Sequence, residues 1–192
     1  MEPIILECNA VVEDIYTDEK TGKKCIIVLN RFGYRLGYVE INSKVPTELF
    51  DDEGNYKYDY RHGESIVHFS NIMYNNRVTL GNRYTLPVHG GITFVGNKEY
   101  LQDKYMRAVG FDCGHYCDAP DIESVEKYLG KDSMLAKILK DIEKDQRFES
   151  HVWTIGDVRE ELGKLACKLK IVEDKYLIKI RNKRRKQWVN KK

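Results

Sequence analysis

Long apolar runs are missing from this chain. The longest are a few residues, where a helix crossing a bilayer needs roughly 20, so no membrane span is expected. Met1 to Glu7 lacks the charged start and long apolar core of a secretory signal, and the expected location is the cytoplasm. Cysteine is sparse and odd in number. Cys8, Cys25, Cys113, Cys117 and Cys167 form no regular framework, which suits reduced thiols and argues against a disulfide scaffold. Neither a P-loop nor a dinucleotide fingerprint occurs, so no glycine-rich loop cradles phosphates. Internal repeats are absent, and low complexity is confined to the C-terminal end.

Acid is missing from that end as well. Residues 181–192 hold seven Lys/Arg and no Asp or Glu; taking these from the net charge of +2 leaves −5 for residues 1–180. A basic tail on a mildly acidic body excludes a general nucleic-acid-binding surface and leaves the tail as the one segment suited to that role. Its Lys183, Arg184, Arg185 and Lys186 would contact phosphates, with Trp188 available to stack on a base. What is present elsewhere is ordinary for a globular protein of 192 residues: 42% hydrophobic and 32% charged residues, with thirteen tyrosines suited to half-buried surfaces. We expect one α+β domain over residues 1–180 and a basic tail over 181–192.

The first 41 residues predict an antiparallel meander. Apolar stretches at 4–16, 24–29 and 35–41 are separated by turn chemistry at Asp18–Lys23 and Asn30–Gly33. In the third, Leu36, Tyr38 and Glu40 alternate with Gly37, Val39 and Ile41, a half-buried strand pattern. Tyr56–Tyr60 alternates aromatic and charged residues and predicts a lid or hairpin. Short strands are expected at 65–73 and 77–80, and a longer one over Met106–Cys113. After Pro120 the period changes. Asp121 can cap a helix starting at Ile122. A second helix is predicted over 132–146, and a third after Thr154, where Asp157 completes a variant capping box and Val158, Leu162, Leu165, Ala166 and Leu169 form one stripe. Strands followed by helices predict an antiparallel sheet with C-terminal helices packed on one face.

Two segments concentrate reactive side chains. Val88–Phe94 and Gly110–Asp118 together bring two His, two Cys and two Asp into about 30 residues of a chain with five His and five Cys in all. Four chemistries are open to them. Cys113 can be a nucleophile with His89 as base and Asp112 or Asp118 as orienter, provided an imidazole lowers the thiol pKa. His89 and His115 can act as base and acid on a phosphodiester or glycosidic bond. A pocket with Tyr34, Arg35, Tyr38 and Asp118 can bind a ligand such as a nucleotide. A metal set of Cys113, His115 and Cys117 cannot meet one ion on an extended strand, because i to i+4 spans about 13 Å against zinc bonds of about 2.0–2.3 Å; a sharp bend at Gly114 would permit it, but no second chelating pair argues for a structural zinc site. A looser set of His89, Asp112, His115 and Asp118 stays open, but no resident metal or cofactor is expected.

The segments also resemble a family of small proteins encoded by bacteriophages and prophages. The resemblance runs through Gly33-Tyr34-Arg35-Leu36-Gly37-Tyr38-Val39, His89-Gly90-Gly91-Ile92-Thr93-Phe94, Gly110 to Asp118, and Leu165-Ala166-Cys167-Lys168-Leu169, over roughly residues 25–170. The chain departs from the family pattern at Tyr34, where many members carry His, and at Cys117, where they carry a small residue. The resemblance implies an accessory phage protein, whose partner would be a host defence protein or a nucleotide ligand. The candidate site is therefore His89, Asp112, Cys113 and His115 for chemistry, with Tyr34, Arg35, Tyr38 and Asp118 for ligand binding. The oligomeric state is not encoded in any feature of the sequence.

Overall fold

Asp18 begins the first tight turn, where its carboxylate accepts hydrogen bonds from the Thr21 backbone N–H (2.9 Å) and hydroxyl (2.6 Å). That turn joins β2 (Val11–Thr17) to β3 (Lys24–Leu29). The second turn uses Asn30, whose side chain accepts from the N–H groups of Phe32 and Tyr34, and leads into β4 (Arg35–Glu40). These local bonds occupy backbone donors that a two-strand turn would otherwise leave unpaired. The computed structural model describes residues 3–6, 10–46, 79–80, 84–85, 88–115, 117–145 and 151–189. The hairpin expected at Tyr56–Tyr60 and the strand expected at 65–73 lie outside the described residues.

With β1 (Ile4–Ile5), β7 (Phe94–Leu101) and β8 (Lys104–Asp112), these strands form a six-stranded antiparallel sheet in the order β1-β2-β3-β4-β8-β7. Two short pieces, β5 (Thr79–Leu80) and β6 (Tyr84–Thr85), pair with each other. The helices follow. They are α1 (Ile122–Leu129), α2 (Met134–Asp145) and α3 (Ile155–Val189). The architecture is α+β, as the order of patterns in the sequence predicts. No helix among the described residues is long and apolar enough to cross a membrane.

Both helix starts form as their capping residues dictate. The Asp121 carboxylate accepts from the Ser124 N–H at 2.9 Å and opens α1. At α3 the bonds are reciprocal: the Thr154 hydroxyl oxygen accepts from the Asp157 N–H at 3.2 Å, and the Asp157 carboxylate accepts from the Thr154 N–H at 2.8 Å. α3 then lays Val158, Leu162, Leu165, Ala166, Leu169 and Val172 against Cys25, Ile27, Val39, Val109 and Phe111 of the sheet. Full burial of each large side chain in that stripe stabilises by about 1.5–3 kcal/mol. Close approach needs Gly37, because a Cβ there would stand 2.8 Å from the Phe111 ring and 2.9 Å from Leu162.

The opposite sheet face is also buried, which differs from the half-buried reading of β4. Tyr38, Ile26, Val28, Met106 and Ala108 pack there with Val12 and Leu6. The sheet curls far enough for Lys24 on β3 to donate to the Tyr100 hydroxyl on β7 at 3.2 Å, three strands away. Flat strands would place those backbones about 14 Å apart at roughly 4.8 Å per step. The curled face therefore covers itself. α1 and α2 pack separately, setting Ile122, Val125, Ala136 and Leu139 against Val11 and Leu29.

Two buried ion clusters fasten the helices to the sheet. Lys23 donates to Glu173 of α3 at 2.6 Å and to the Glu40 carbonyl at 2.9 Å, while Glu173 also accepts from the Asn42 N–H at 2.7 Å. Arg35 makes a two-pronged contact with Glu13 (2.7 and 2.9 Å), pairs with Asp121 at 2.8 Å, and donates to the Ser124 hydroxyl and the Trp153 carbonyl. Glu13 and Arg35 side chains are 0% and 4% exposed. Removing one member of such a set strands a buried charge at a cost of about 3–5 kcal/mol. Arg35→Met should lower the free energy of unfolding in urea by about that amount, and adding Glu13→Met should restore part of it. A single variant as stable as the parent would contradict the assignment.

Candidate functional site

β8 ends at Asp112, and the chain then turns through Cys113, Gly114 and His115 to β9 (Asp118–Ala119). β9 pairs in parallel with β10 (His151–Val152), with Asp118 opposite His151. That pairing brings Trp153 and the N-terminus of α3 beside the turn. His89 arrives from a second turn, at Val88–Gly91, just before β7. The turn is pinned to α3 by the His89 N–H, which donates to Glu161 at 3.0 Å. Four separate segments thus meet at the end of β8.

Asp118 is the centre of the meeting. Its Oδ2 lies 2.8 Å from His89 Nε2 and 3.3 Å from His115 Nδ1, and accepts from the His115 backbone N–H at 2.8 Å. Its Oδ1 accepts from Trp153 Nε1 at 2.8 Å. The side chain is 3% exposed. Burial alone pushes its carboxyl pKa up. The hydrogen bonds from His89, the His115 backbone and Trp153 outweigh that and hold it below the ordinary Asp value. Asp118 is therefore an anion at neutral pH, and its two ring partners are oriented by it.

The rings pack as well as bond. His89 meets His115 edge-on at a 4.9 Å centroid distance and lies 4.2 Å from the Trp153 ring. His115 Nε2 is buried with no hydrogen-bond partner, and its nearest carboxylate is Asp112 Oδ1 at 3.9 Å. Room for the His115 ring exists because residue 90 is glycine. Its φ is +65°, and a Cβ there would fall 1.9 Å from His115 Cε1 and Nε2. Tyr34 borders the site, since its ring would stand 3.3 Å from a Cβ on Gly114. Its hydroxyl pKa is raised, first by burial and then by the Asp118 charge.

Of the predicted chemical residues, His89 and His115 converge, and Asp112 stands beside them. Cys113 does not join. It is 1% exposed, packed under α3 with Phe111, and burial, followed by the Asp118 and Asp112 charges, pushes its thiol pKa far up. A thiol kept protonated in the core is not a nucleophile. Among the predicted ligand contacts, Asp118 is the centre and Tyr34 is adjacent. Arg35 is instead consumed by Glu13 and Asp121, and reaches the site only by holding the Trp153 carbonyl at 2.5 Å. Tyr38 packs edge-on against Phe94, centroids 5.2 Å apart, in the core on the other sheet face. Lys183, Arg184, Arg185 and Lys186 are exposed on the last turns of α3. They lie about 39 Å along the helix from Asp157 at 1.5 Å per residue, remote from the histidines. The basic segment through Val189 is a continuation of α3.

Trp153 and Glu161 have no predicted role in the sequence, although both hold the site together. The expectation of no metal also changes ground. The three donors of Cys113, His115 and Cys117 do not assemble, but His89, His115 and Asp118 each offer one ligand atom within 4.8 Å of the others. Compared with family models, with curated proteins and with solved structures, the chain matches none.

Gly90→Ala should cost about 1–3 kcal/mol for the left-handed backbone alone and should displace the His115 ring. Thermal unfolding combined with the His115 ring signals in an NMR spectrum reads both effects. A variant with unchanged melting and unchanged His115 signals would show that the ring does not fill the space beside residue 90.

Proposed function

We propose that this chain is a small hydrolase in which His89 and His115 act on an ester or phosphodiester bond. The observation that supports the reading is one buried, ionised carboxylate shared by two imidazoles from different turns. A carboxylate bonded to one ring nitrogen fixes the tautomer and leaves the opposite nitrogen as the reactive one: Nδ1 on the 27% exposed His89 side chain, and on His115 the buried Nε2, which bound substrate must uncover. In the hydrolytic step a water oxygen bonds to the electrophilic carbon or phosphorus while the bond to the leaving oxygen breaks. One imidazole takes the proton of the water, and the other, protonated, delivers one to the leaving oxygen. Asp118 remains an anion and holds both rings in place, a positioning role that Trp153 and Glu161 share.

The cellular setting follows from the motif resemblance alone. It makes this an accessory protein of a phage or prophage acting in the bacterial cytoplasm. A nucleotide signal of host defence is the substrate class that joins this setting to phosphodiester chemistry. A binder of the same ligand, or of a host defence protein, is the alternative. It would engage the exposed edge of His89 and Tyr34 without turnover.

Turnover of activated esters, bis-p-nitrophenyl phosphate and cyclic dinucleotides separates these readings. His89→Ala and His115→Ala should each lower turnover by on the order of 10²–10⁴ while keeping the far-ultraviolet circular dichroism of the parent. Cys113→Ser should leave turnover unchanged. Absence of turnover in the parent, with both histidine variants only lowering the melting temperature, would reduce the cluster to a structural clasp.

A further inference from the structure

The same three side chains that share protons are arranged to share a cation. His89 Nε2 and Asp118 Oδ2 are 2.8 Å apart, His115 Nδ1 and Asp118 Oδ2 are 3.3 Å apart, and the ligand atoms of all three residues lie within 4.8 Å. Bonds of about 2.0–2.2 Å at tetrahedral angles set donor atoms about 3.4 Å apart. Loading the ion would take the Asp118–His89 and Asp118–His115 pairs from 2.8 and 3.3 Å toward that separation and draw the two imidazole nitrogens, within 4.8 Å of each other, to it as well. We propose that His89, His115 and Asp118 bind a single divalent transition-metal ion of the zinc type, with the remaining positions open to water. The proposal rests on the hydrolytic reading above but replaces its acid–base pair: with both imidazoles ligating, the metal would supply the bound water that attacks and the leaving oxygen would take its proton from solvent, and binding is measurable without turnover.

Three further observations favour a metal over a hydrogen-bond clasp. The first is His115 Nε2, buried without a partner. If Nδ1 binds an ion, the ring proton sits on Nε2, and the carboxylate of Asp112, now at 3.9 Å, becomes its natural acceptor. A carboxylate behind a ligating imidazole is the usual outer support of such sites. The second is Trp153, whose indole N–H holds Asp118 Oδ1 at 2.8 Å and so leaves Oδ2 as the one oxygen turned toward both imidazoles. The third is charge. Asp112 and Asp118 both border the rings, while Arg35, the cation reaching toward them through Trp153, is already paired with Glu13 and Asp121. The His89 side chain is 27% exposed, which gives an ion and its water a route in. Two imidazoles and one carboxylate are a donor set suited to zinc and its neighbours, and a three-ligand site that keeps an open position is the catalytic form.

The test uses the full chain, stripped by chelator and titrated with Zn²⁺ by calorimetry and with Co²⁺ by visible absorption. One ion per chain is expected, with a Co²⁺ spectrum of low coordination number. His89→Ala and His115→Ala should each weaken binding by more than about tenfold. Asp112→Asn should weaken it by about tenfold with the stoichiometry kept, and His151→Ala should change nothing. Because a variant can fail to fold, the parent protein supplies a second readout: diamagnetic Zn²⁺ should shift the ring nitrogen signals of His89 and His115 strongly and those of His151 little. No bound ion, or equal binding by the His89→Ala/His115→Ala double variant, would overturn the site. Ester hydrolysis that persists in excess chelator would refute the metal's part and keep the hydrolytic reading. One tightly bound ion with no hydrolysis would do the reverse.

Discussion

Asp118 imposes the constraint around which the rest of the site is arranged. A carboxylate removed almost wholly from water costs several kcal/mol unless its oxygens are satisfied. Here the donors come from the His115 ring and backbone, three residues away in the same turn, and from His89 and Trp153, two stretches of chain with no local reason to meet it. Satisfying one anion therefore fixes two turns and the approach to α3 at once. The same bonds that stabilise the charge orient the imidazoles. Stability and chemistry at this site have a common origin.

The scaffold supplies the rigidity that such a meeting requires. α3 packs so closely on β4 that residue 37 has no room for a side chain, and its N-terminus is locked by Thr154 and Asp157. Arg35 links the two levels. It neutralises Glu13 in the core and, through the Trp153 carbonyl, steadies the residue whose indole holds Asp118. A distant core ion pair thereby reaches the site through a single intervening residue. The Lys23–Glu173 pair does the same for the middle of α3, away from the histidines.

Local signals in the sequence are the ones that translate directly into structure. Asp121 and the Thr154–Asp157 pair act over three residues, so the helix starts can be read without knowledge of the fold. Alternation in β4 separates Leu36 and Tyr38 from Gly37 and Val39 correctly, but whether the outer face is covered depends on sheet curl, which no short window contains. The same alternation, carried one step past β8, places Cys113 with Val109 and Phe111 on the face beneath α3. Residue type draws attention to a reactive cysteine there, and strand period argues for core. Arg35, two residues before Gly37, turns inward for the same reason. Trp153 is 35 residues from Asp118, and Glu161 is 72 from His89, so their roles emerge only from tertiary pairing.

Asp118 holds both imidazoles. Long-range ¹H–¹⁵N correlation spectra of the histidine rings test it directly. In the metal-free parent, His89 should carry its proton on Nε2 and His115 on Nδ1, each with the shift of a hydrogen-bonded ring N–H, and Asp118→Asn should move both patterns together. Ring signals of both histidines that are unchanged by Asp118→Asn would show that its carboxylate does not hold them.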